Sequence, residues 1–352
     1  MIYFYHILLN MLTRLAKQRT ISSAYHILRG KKSSQTLQDI HLFQLQPLYG
    51  IYPDLKKSTY DNWIDQLISQ QFLLNTDDTF SLDLEKVGEI RDISKSFNGL
   101  IYNNFDKEFL KALKLLAQTL SNISYGQFRF IPLIDDMNIQ WKVKKIIREN
   151  ESKQDWLINQ FYQELFKCLD EVDEIQAEIF VMQLSGVNRI GYSRKQLAEL
   201  YQVNKEDIQL TTMNITHSLI TMINNNPNQF PLLHSLIPAH KFHSITVSAA
   251  KTLELIQQGY SLEKIEQVRQ LKLSTIQDHV VEIANQVIEF DIQQFVSESI
   301  EKEIKECLAR TSTRRLKQIK DELHPSISYF QIRLVLAKLN QNEASEIINE
   351  PY

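Results

Sequence analysis

"LKLSTIQDHVVEIA", Leu271 to Ala284, is the stretch that decides the fold. It follows "GYSLEKIEQVRQ", Gly259 to Gln270, and both stretches carry apolar residues at helical spacing on either side of a short polar joint. Ser274 is a good N-cap for the second helix. Its buried stripe is expected at Ile276, Val280, Ile283 and Ala284. Together the two stretches predict a helix-turn-helix.

The outward face of the second helix permits two interpretations. A DNA-reading helix inserts its N-terminal residues into the major groove, and the polar and basic residues at this end suit that role. Acidic side chains are expected further along the same face, where they would repel phosphate. The candidate DNA contacts are Arg269, Lys272, Ser274, Thr275 and Gln277, and the candidate protein contacts are Asp278 and Glu282.

The first hundred residues predict a winged helix. "YFYHILLNMLTRLA", "SAYHILRG" and "STYDNWIDQLISQQ" each have apolar residues at helical spacing, and Ser58 is expected to cap the third. "FLLNTDDTFSLDL" then reads as two short strands around the turn formers Asn75, Asp77 and Asp78. Three helices followed by a short hairpin are the outline of a winged helix.

The rest of the chain is predicted to be helical. Only 8 Gly and 8 Pro occur among 352 residues, which favours helices joined by short loops over a many-stranded sheet. The expected fold class is mainly α, with a winged helix at residues 1–100 and a helical bundle at residues 105–235 that includes a second helix-turn-helix-like pair. A helix-turn-helix domain is expected at residues 243–340, and a tail at residues 341–352 is expected to fray.

Charge is distributed unevenly along the chain. The formal net charge of -3 argues against a generally basic nucleic-acid scaffold but permits local patches. The segment before Asp61 is rich in Lys and Arg, and a second cationic stretch lies at residues 310–320. A solvated surface in front and salt bridges at the back are the alternatives to DNA binding. The candidate DNA contacts are Lys31, Lys32, Lys56, Lys57, Ser58 and Tyr60 in front, with Arg314 and Arg315 behind.

Recognisable catalytic chemistry is missing. No stretch matches a P-loop, a dinucleotide-binding fingerprint, HExxH or GxSxG, so we expect a noncatalytic protein without a cofactor. His234, His240 and His243 lack nearby Cys or acidic partners, and we expect no metal there. Cys168 and Cys307 are expected to be small buried thiols. The apolar N-terminus is too short to span a bilayer, which favours a buried first helix, a cytoplasmic location and no membrane partner.

Two parts of the chain resemble known families. "SAAKTLELIQQGYSLEKIEQVRQLKLSTIQDHVVEIA" and "LKQIKDELHPSISYFQIRLVLAKL" resemble the helix-turn-helix domain at the C-terminus of some bacterial RecQ-type helicases and in the YpbB family. Glu266 stands where that pattern usually has Ala, which suggests a more open packing. "ILRGKKSSQ" and "LYGIYPDLKKSTYDNWIDQLISQQFL" resemble the RecQ C-terminal winged helix. That family's "GHD" element appears only within "DIHLF", Asp39 to Phe43, and its zinc-binding cysteines and motor are missing.

Over its full length the chain is similar to YpbB proteins, which are encoded beside a RecQ-family helicase. The resemblance implies an accessory factor that binds this helicase and DNA, with a part in DNA repair and recombination. Two alternatives stay open: a sequence-specific transcription regulator acting as a homodimer, and a protein-interaction scaffold without DNA contact. The resemblance is compatible with a homo-oligomer.

Overall fold

The computed structural model describes residues 3–75, 79–90, 94–103, 105–238, 245–287, 289–311 and 315–348. The described part is mainly helical, and its strands form a single antiparallel hairpin. The first elements are α1 (Phe4–Leu15), α2 (Ser22–Leu28), α3 (Ser34–Leu42), α4 (Lys57–Ser69), β1 (Leu73–Asn75), β2 (Phe80–Leu82), α5 (Leu84–Val87) and α6 (Gly99–Tyr102). The register of the hairpin pairs Leu73 with Leu82, Leu74 with Ser81 and Asn75 with Phe80.

The remaining elements are helical. Those of the middle of the chain are α7 (Phe105–Ser124), α8 (Met137–Glu149), α9 (Gln154–Asp170), α10 (Glu174–Met182), α11 (Arg194–Leu200), α12 (Lys205–Asn225) and α13 (Pro231–Leu236). Those of the C-terminal part are α14 (Val247–Gln257), α15 (Leu262–Arg269), α16 (Leu273–Gln286), α17 (Glu298–Thr311), α18 (Leu316–Asp321) and α19 (Tyr329–Ile348). Among the described residues, no helix is both long and apolar enough to cross a membrane.

The chain divides into two compact units that are not continuous in sequence. Unit 1 comprises Met1–Asn10, Gly50–Pro53 and Ile90–Lys241. Unit 2 comprises Met11–Tyr49, Asp54–Glu89 and Phe242–Tyr352. Unit 2 therefore combines most of the predicted winged helix with the predicted C-terminal helix-turn-helix domain.

Unit 1 is a helical bundle built around α12. Its core consists of apolar side chains from α7, α8, α9, α12 and α13, and a second small cluster joins α10, α11 and α12. The helix-turn-helix-like pair predicted in this region is confirmed as α11 and α12. Ser193 caps α11 and forms a capping box with Gln196. Asn204 is the N-cap of α12. Buried Asp207 accepts hydrogen bonds from the backbone amides of Tyr3 and Phe4, both at 3.0 Å, and so caps the start of α1.

In unit 2 the winged helix contains one more helix than predicted. Polar "KKSSQ" leads into α3, because the Ser33 side chain accepts a hydrogen bond from the Thr36 amide and so starts a helix. The expectation that Ser58 caps the next helix is wrong, since α4 begins at Lys57 with Lys56 as its N-cap. The turn between β1 and β2, with Asp77 and Asp78, lies outside the described residues.

Several smaller predictions can also be compared with the structure. Cys168 and Cys307 are buried free thiols, as predicted, and burial raises the pKa of Cys168 to about 12. The apolar start of the chain forms the buried helix α1, as predicted. The tail expected to fray is helical as far as Ile348, because α19 continues through a run rich in good helix formers.

Asp39 and His41 of the "DIHLF" segment are buried in unit 2. The Arg19 guanidinium donates from Nε to Asp39 at 2.7 Å. The side-chain amides of Gln46 and Gln286 lie 3.3 and 2.9 Å from the two ring nitrogens of His41, so the imidazole joins α3 to α16. Burial lowers the pKa of His41 from 6.5 to about 4.

His41 is therefore expected to make the stability of the fold depend on pH. The unfolded chain binds a proton to this histidine near pH 6.5, whereas the folded chain does so only near pH 4. The contribution of His41 is present above pH 6.5 and is lost as the pH falls towards 4. In urea unfolding at several pH values, His41→Gln is expected to flatten the fall in unfolding free energy across this window. Exposed His324→Gln is the control, and equal slopes for wild type and His41→Gln would contradict the assignment.

Candidate nucleic-acid interface

Exposed positive charge on the predicted winged helix lies near His26. Its pKa is lowered first by burial and then by the positive fields of Lys31, Lys57 and Arg29. Arg29 follows α2 directly, Lys31 lies two residues beyond it, and Lys57 is the first residue of α4. We call Arg29, Lys31, Lys57 and His26 the basic cluster. The three cations are exposed, so they present a surface on which phosphate oxygens can bind.

Two tyrosine rings support the basic cluster from below. The Arg29 guanidinium donates to the Tyr25 hydroxyl at 3.1 Å and lies 5.6 Å from the centre of that ring. The Lys57 ammonium lies 5.4 and 5.2 Å from the ring centres of Tyr25 and Tyr60. These cation–π contacts fix the cations without neutralising them.

Lys57 also forms an ion pair with Asp61, one helical turn further along α4. Both side chains are about half exposed, at 49% and 48%, and an exposed pair of this kind contributes little to stability. The pair therefore does not prevent Lys57 from binding phosphate. Lys56 and Ser58 are also exposed, and the N-cap side chain of Lys56 makes no capping bond to α4. The backbone amides at this helix start add to the positive potential.

Tyr60 is not a DNA contact in this structure. Its side chain is completely buried, and its hydroxyl donates to the Ile21 carbonyl at 2.6 Å. Burial raises its pKa far above the ordinary value for tyrosine. Because the ring lies beneath Lys57, it supports the basic cluster instead of stacking on a base.

Lys32 points its charge towards the C-terminal segment of unit 2. It is exposed, and its positive field lowers the pKa of Glu282, although burial raises that pKa more strongly. Lys31 and Lys32 are adjacent in sequence and act on groups in two different parts of unit 2. The structure brings Lys31 together with Lys57, and it brings Lys32 near α16.

The predicted helix-turn-helix is confirmed as α15 and α16. Ile276, Val280, Ile283 and Ala284 are fully buried, as predicted. The prediction that Ser274 is the N-cap is wrong, since Lys272 holds that position and its side chain makes no capping bond. The Leu273 amide instead donates to the Glu266 carboxylate at 2.9 Å. Glu266, which departs from the family pattern, therefore supplies the cap from the preceding helix.

Arg269 is a structural residue. Its guanidinium donates to the Ser248 carbonyl at 2.7 Å and to the Ser248 hydroxyl at 3.0 Å. It also lies against Thr252 and His279, so it ties α15 to α14 and α16. These bonds hold the half-buried guanidinium among α14, α15 and α16, and its contact with DNA stays a prediction. At the start of α16, Lys272 and Ser274 are exposed, whereas Thr275 and Gln277 are half-buried.

Asp278 and Glu282 do not form an open acidic surface. Asp278 accepts from Arg333 at 2.6 Å and from the Ser34 hydroxyl at 2.7 Å. Glu282 accepts from the backbone amide and the hydroxyl of Thr246, the N-cap of α14. Both carboxylates therefore bind partners inside unit 2, and their contact with another protein stays a prediction.

The second cationic stretch and the histidine group add little to the interface. Arg314 lies outside the described residues, and half-buried Arg315 is the N-cap of α18. His240 and His243 also lie outside them. In the part of the chain that the structure describes, no three His, Cys, Asp or Glu side chains come together as a metal ion would require.

Sequence reasoning missed two kinds of residue at this interface. Arg29 and His26 were not selected, although Arg29 stands at the end of a predicted helix beside Gly30, where exposed cations are common. The partners of the acidic residues, Arg333 and Ser34, are 55 and 244 positions from Asp278 in sequence. No local pattern indicates pairs so distant.

Comparison with known proteins agrees with this architecture. A family described as "RQC domain" matches residues 6–96, and one described as "Helix-turn-helix domain" matches residues 248–336. Protein YpbB of Bacillus subtilis (strain 168) is 30% identical over 347 residues, which is 96% of this chain and 97% of the relative. No solved structure matches the chain.

A mainly helical chain with an RQC domain and a helix-turn-helix domain is a RecQ-related protein, and both domain types indicate nucleic-acid binding. The similarity over nearly the whole length is more specific than either domain match. The chain belongs to the YpbB family.

Removing the Asp278 carboxylate tests its internal role. Asp278→Ala leaves the Arg333 guanidinium, whose side chain is 15% exposed, without its anion. Because Asp278 itself is 38% exposed, we expect a loss of about 2 kcal/mol in unfolding free energy, between the values for surface and buried pairs. Urea unfolding measures this loss, with exposed Asp65→Ala as the control. An unchanged urea midpoint for Asp278→Ala would show that the carboxylate faces solvent.

Proposed function

We propose that the protein is a noncatalytic accessory factor of a RecQ-family DNA helicase and that it binds both the helicase and DNA. Its RQC and helix-turn-helix domains support a RecQ-related role. Its similarity to a YpbB protein over nearly the full length of both chains supports the same role. The observation that carries the DNA-binding part is a surface on which exposed Arg29 and Lys57 both lie over the Tyr25 ring, with exposed Lys31 two residues beyond Arg29. The basic cluster lies within the residues matched by the RQC domain.

In this proposal the basic cluster and the start of α4 provide the main contacts to phosphate. Arg29 and Lys57 come from different segments and lie over the same Tyr25 ring, so a strand that binds one can bind the other. Lys56 and the amides of the first turn of α4 extend the site. The start of α16 provides at most Lys272 and short polar side chains, because Arg269, Asp278 and Glu282 bind partners inside unit 2.

One observation favours a second candidate, a protein-interaction scaffold without DNA contact. The charged side chains of α16 and of the turn before it bind partners inside unit 2. In a DNA-reading helix, such side chains normally contact the major groove. The same observation argues against the third candidate, a sequence-specific transcription regulator that reads bases through α16.

Neutralising the basic cluster is expected to weaken DNA binding. Lys31→Gln with Lys57→Gln removes two phosphate partners, so the slope of log affinity against log salt is expected to fall by about 2 on duplex DNA. The affinity at low salt is expected to drop by roughly tenfold or more. Fluorescence anisotropy on duplex, forked and single-stranded DNA across a salt series measures both quantities.

The matched control is Lys264→Gln with Lys302→Gln, two exposed lysines outside the cluster that give the same change in net charge. It is expected to leave the salt slope nearly unchanged. If both double variants lost DNA affinity equally, the loss would come from the change in net charge and not from the basic cluster. Wild-type protein that binds no DNA at low salt would favour the scaffold, and a strong preference for one duplex sequence would favour the regulator.

The helicase part of the proposal predicts a measurable complex. The purified protein is expected to bind the RecQ-family helicase of the same organism in biolayer interferometry and to change its rate of unwinding a forked duplex. The unwinding effect is expected to shrink with Lys31→Gln and Lys57→Gln, while binding to the helicase persists. No binding and no change in the unwinding rate would contradict the accessory role.

A further inference from the structure

Unit 1 has an open groove whose lining includes none of the residues of the basic cluster. It has a volume of about 970 Å³ and is lined by residues of α7, α9 and α10. Its longest wall is a stripe on α9 formed by Ile158, Tyr162, Phe166 and Leu169. These residues are spaced by four, four and three positions, so they lie on one face of the helix. The stripe is about 16 Å long, or three helical turns.

This stripe lies beside the apolar face that α9 uses for its own core. Leu157, Phe161, Leu165 and Cys168 are buried in the bundle of unit 1. Tyr162 and Phe166 are 59% and 53% exposed, yet their rings stack on each other with centres 5.9 Å apart. A stacked aromatic pair that stays open to solvent is typical of a surface that a partner covers.

The opposite wall and one end of the groove are also well ordered. α10 contributes Ala177, Val181 and Met182. The loop after α10 is held against α7, because the Val187 amide donates to the Ser121 hydroxyl at 3.1 Å. Gly186 allows this approach, since a Cβ there would lie 2.5 Å from that hydroxyl. Two helical walls over a third helix form a trough that suits an added helix.

The rim of the groove is mainly acidic. Asp170, Glu174 and Glu178 line it, against the single cation Arg189. Asp170 is the last residue of α9, where a negative charge opposes the helix dipole and works against stability. A carboxylate in that position favours a role in recognition, because it does not help the helix that carries it.

We propose that this groove binds an amphipathic helix of the partner helicase, one with basic side chains beside its apolar face. The proposal rests on the proposed function, because it gives the helicase a docking site. The trough and the aromatic pair fit the apolar face of such a helix, and the acidic rim complements its basic edges. A small ligand fits less well, since the two aromatic walls are more than half exposed, whereas small-molecule sites enclose most of the ligand.

The test compares two aromatic pairs of equal composition. Tyr162→Ala with Phe166→Ala removes the pair in the groove. Tyr125→Ala with Phe128→Ala removes a tyrosine and a phenylalanine that are 69% and 68% exposed and do not line it. In biolayer interferometry with the full-length helicase, the groove variant is expected to bind at least tenfold more weakly. The control is expected to bind within twofold of wild type, and circular dichroism checks that both variants fold.

The acidic rim is tested in the same way. Asp170→Asn with Glu178→Gln is expected to slow association with the helicase and to weaken its dependence on salt. Glu149→Gln with Glu151→Gln neutralises two exposed acids outside the groove and is expected to have no such effect. Equal effects of the two neutralisations would overturn the role of the rim.

A peptide probe tests the groove without the helicase. An 18-residue helical peptide of Leu and Lys, with Leu at i, i+3, i+4 and i+7 spacing, is expected to bind wild type and to lose affinity for the groove variant. The same peptide with Glu in place of Lys is expected not to bind. Equal binding of both peptides, or equal binding of the Leu–Lys peptide to wild type and groove variant, would overturn the groove as a site for a basic helix.

The outcomes separate this inference from the proposed function. If the helicase binds wild type and groove variant equally, the groove is overturned as its docking site and the accessory role stands. If the helicase binds neither, the accessory role and the inference fail together. If the groove variant only shifts the protein from dimer to monomer in analytical ultracentrifugation, with helicase binding unchanged, the occupant is a second copy of this chain and the inference is overturned.

Discussion

The junction of Ser34, Asp278 and Arg333 is the interaction on which unit 2 depends. The Arg333 guanidinium donates to Asp278 and to the Ser34 hydroxyl, both at 2.6 Å, and that hydroxyl donates to Asp278 at 2.7 Å. Three side chains from α3, α16 and α19 thus form one hydrogen-bonded network. Because α3 comes from the RQC part of the chain and α16 and α19 from the helix-turn-helix part, these bonds join two domain types in one compact unit.

This junction also decides which surface is left for a ligand. The charges of α16 that a DNA-reading helix would use are bound inside unit 2, as is Arg269 before it. The cations of the basic cluster are exposed; Arg29 and Lys57 lie over aromatic rings, and Lys57 pairs with the half-exposed carboxylate of Asp61. A carboxylate buried beside these cations would neutralise them, whereas a ring holds them in place and leaves their charge available. The proposed phosphate contacts therefore lie on the winged helix and not on the helix-turn-helix.

The sequence predicted what depends on local patterns. The stripe of α16, the second helix-turn-helix-like pair and the winged-helix outline follow from spacing and cap chemistry, and the structure has all three. The sequence did not predict the capping of α16 by Glu266, the burial of Tyr60 or the junction at Asp278. Each depends on a contact with another element, and apolar spacing cannot distinguish an outward acid from one that meets an arginine 55 residues away. The open stripe on α9 was hidden because it merges with the core stripe of the same helix.

The central claim is that DNA binds through the basic cluster and the start of α4, and not through α16. Hydrogen–deuterium exchange of the full-length protein, with and without a forked duplex at low salt, tests this directly. The account predicts slower exchange of backbone amides at residues 29–33 and 57–60, with no change along α16. Protection of the first turns of α16, with residues 29–33 and 57–60 unaffected, would contradict it.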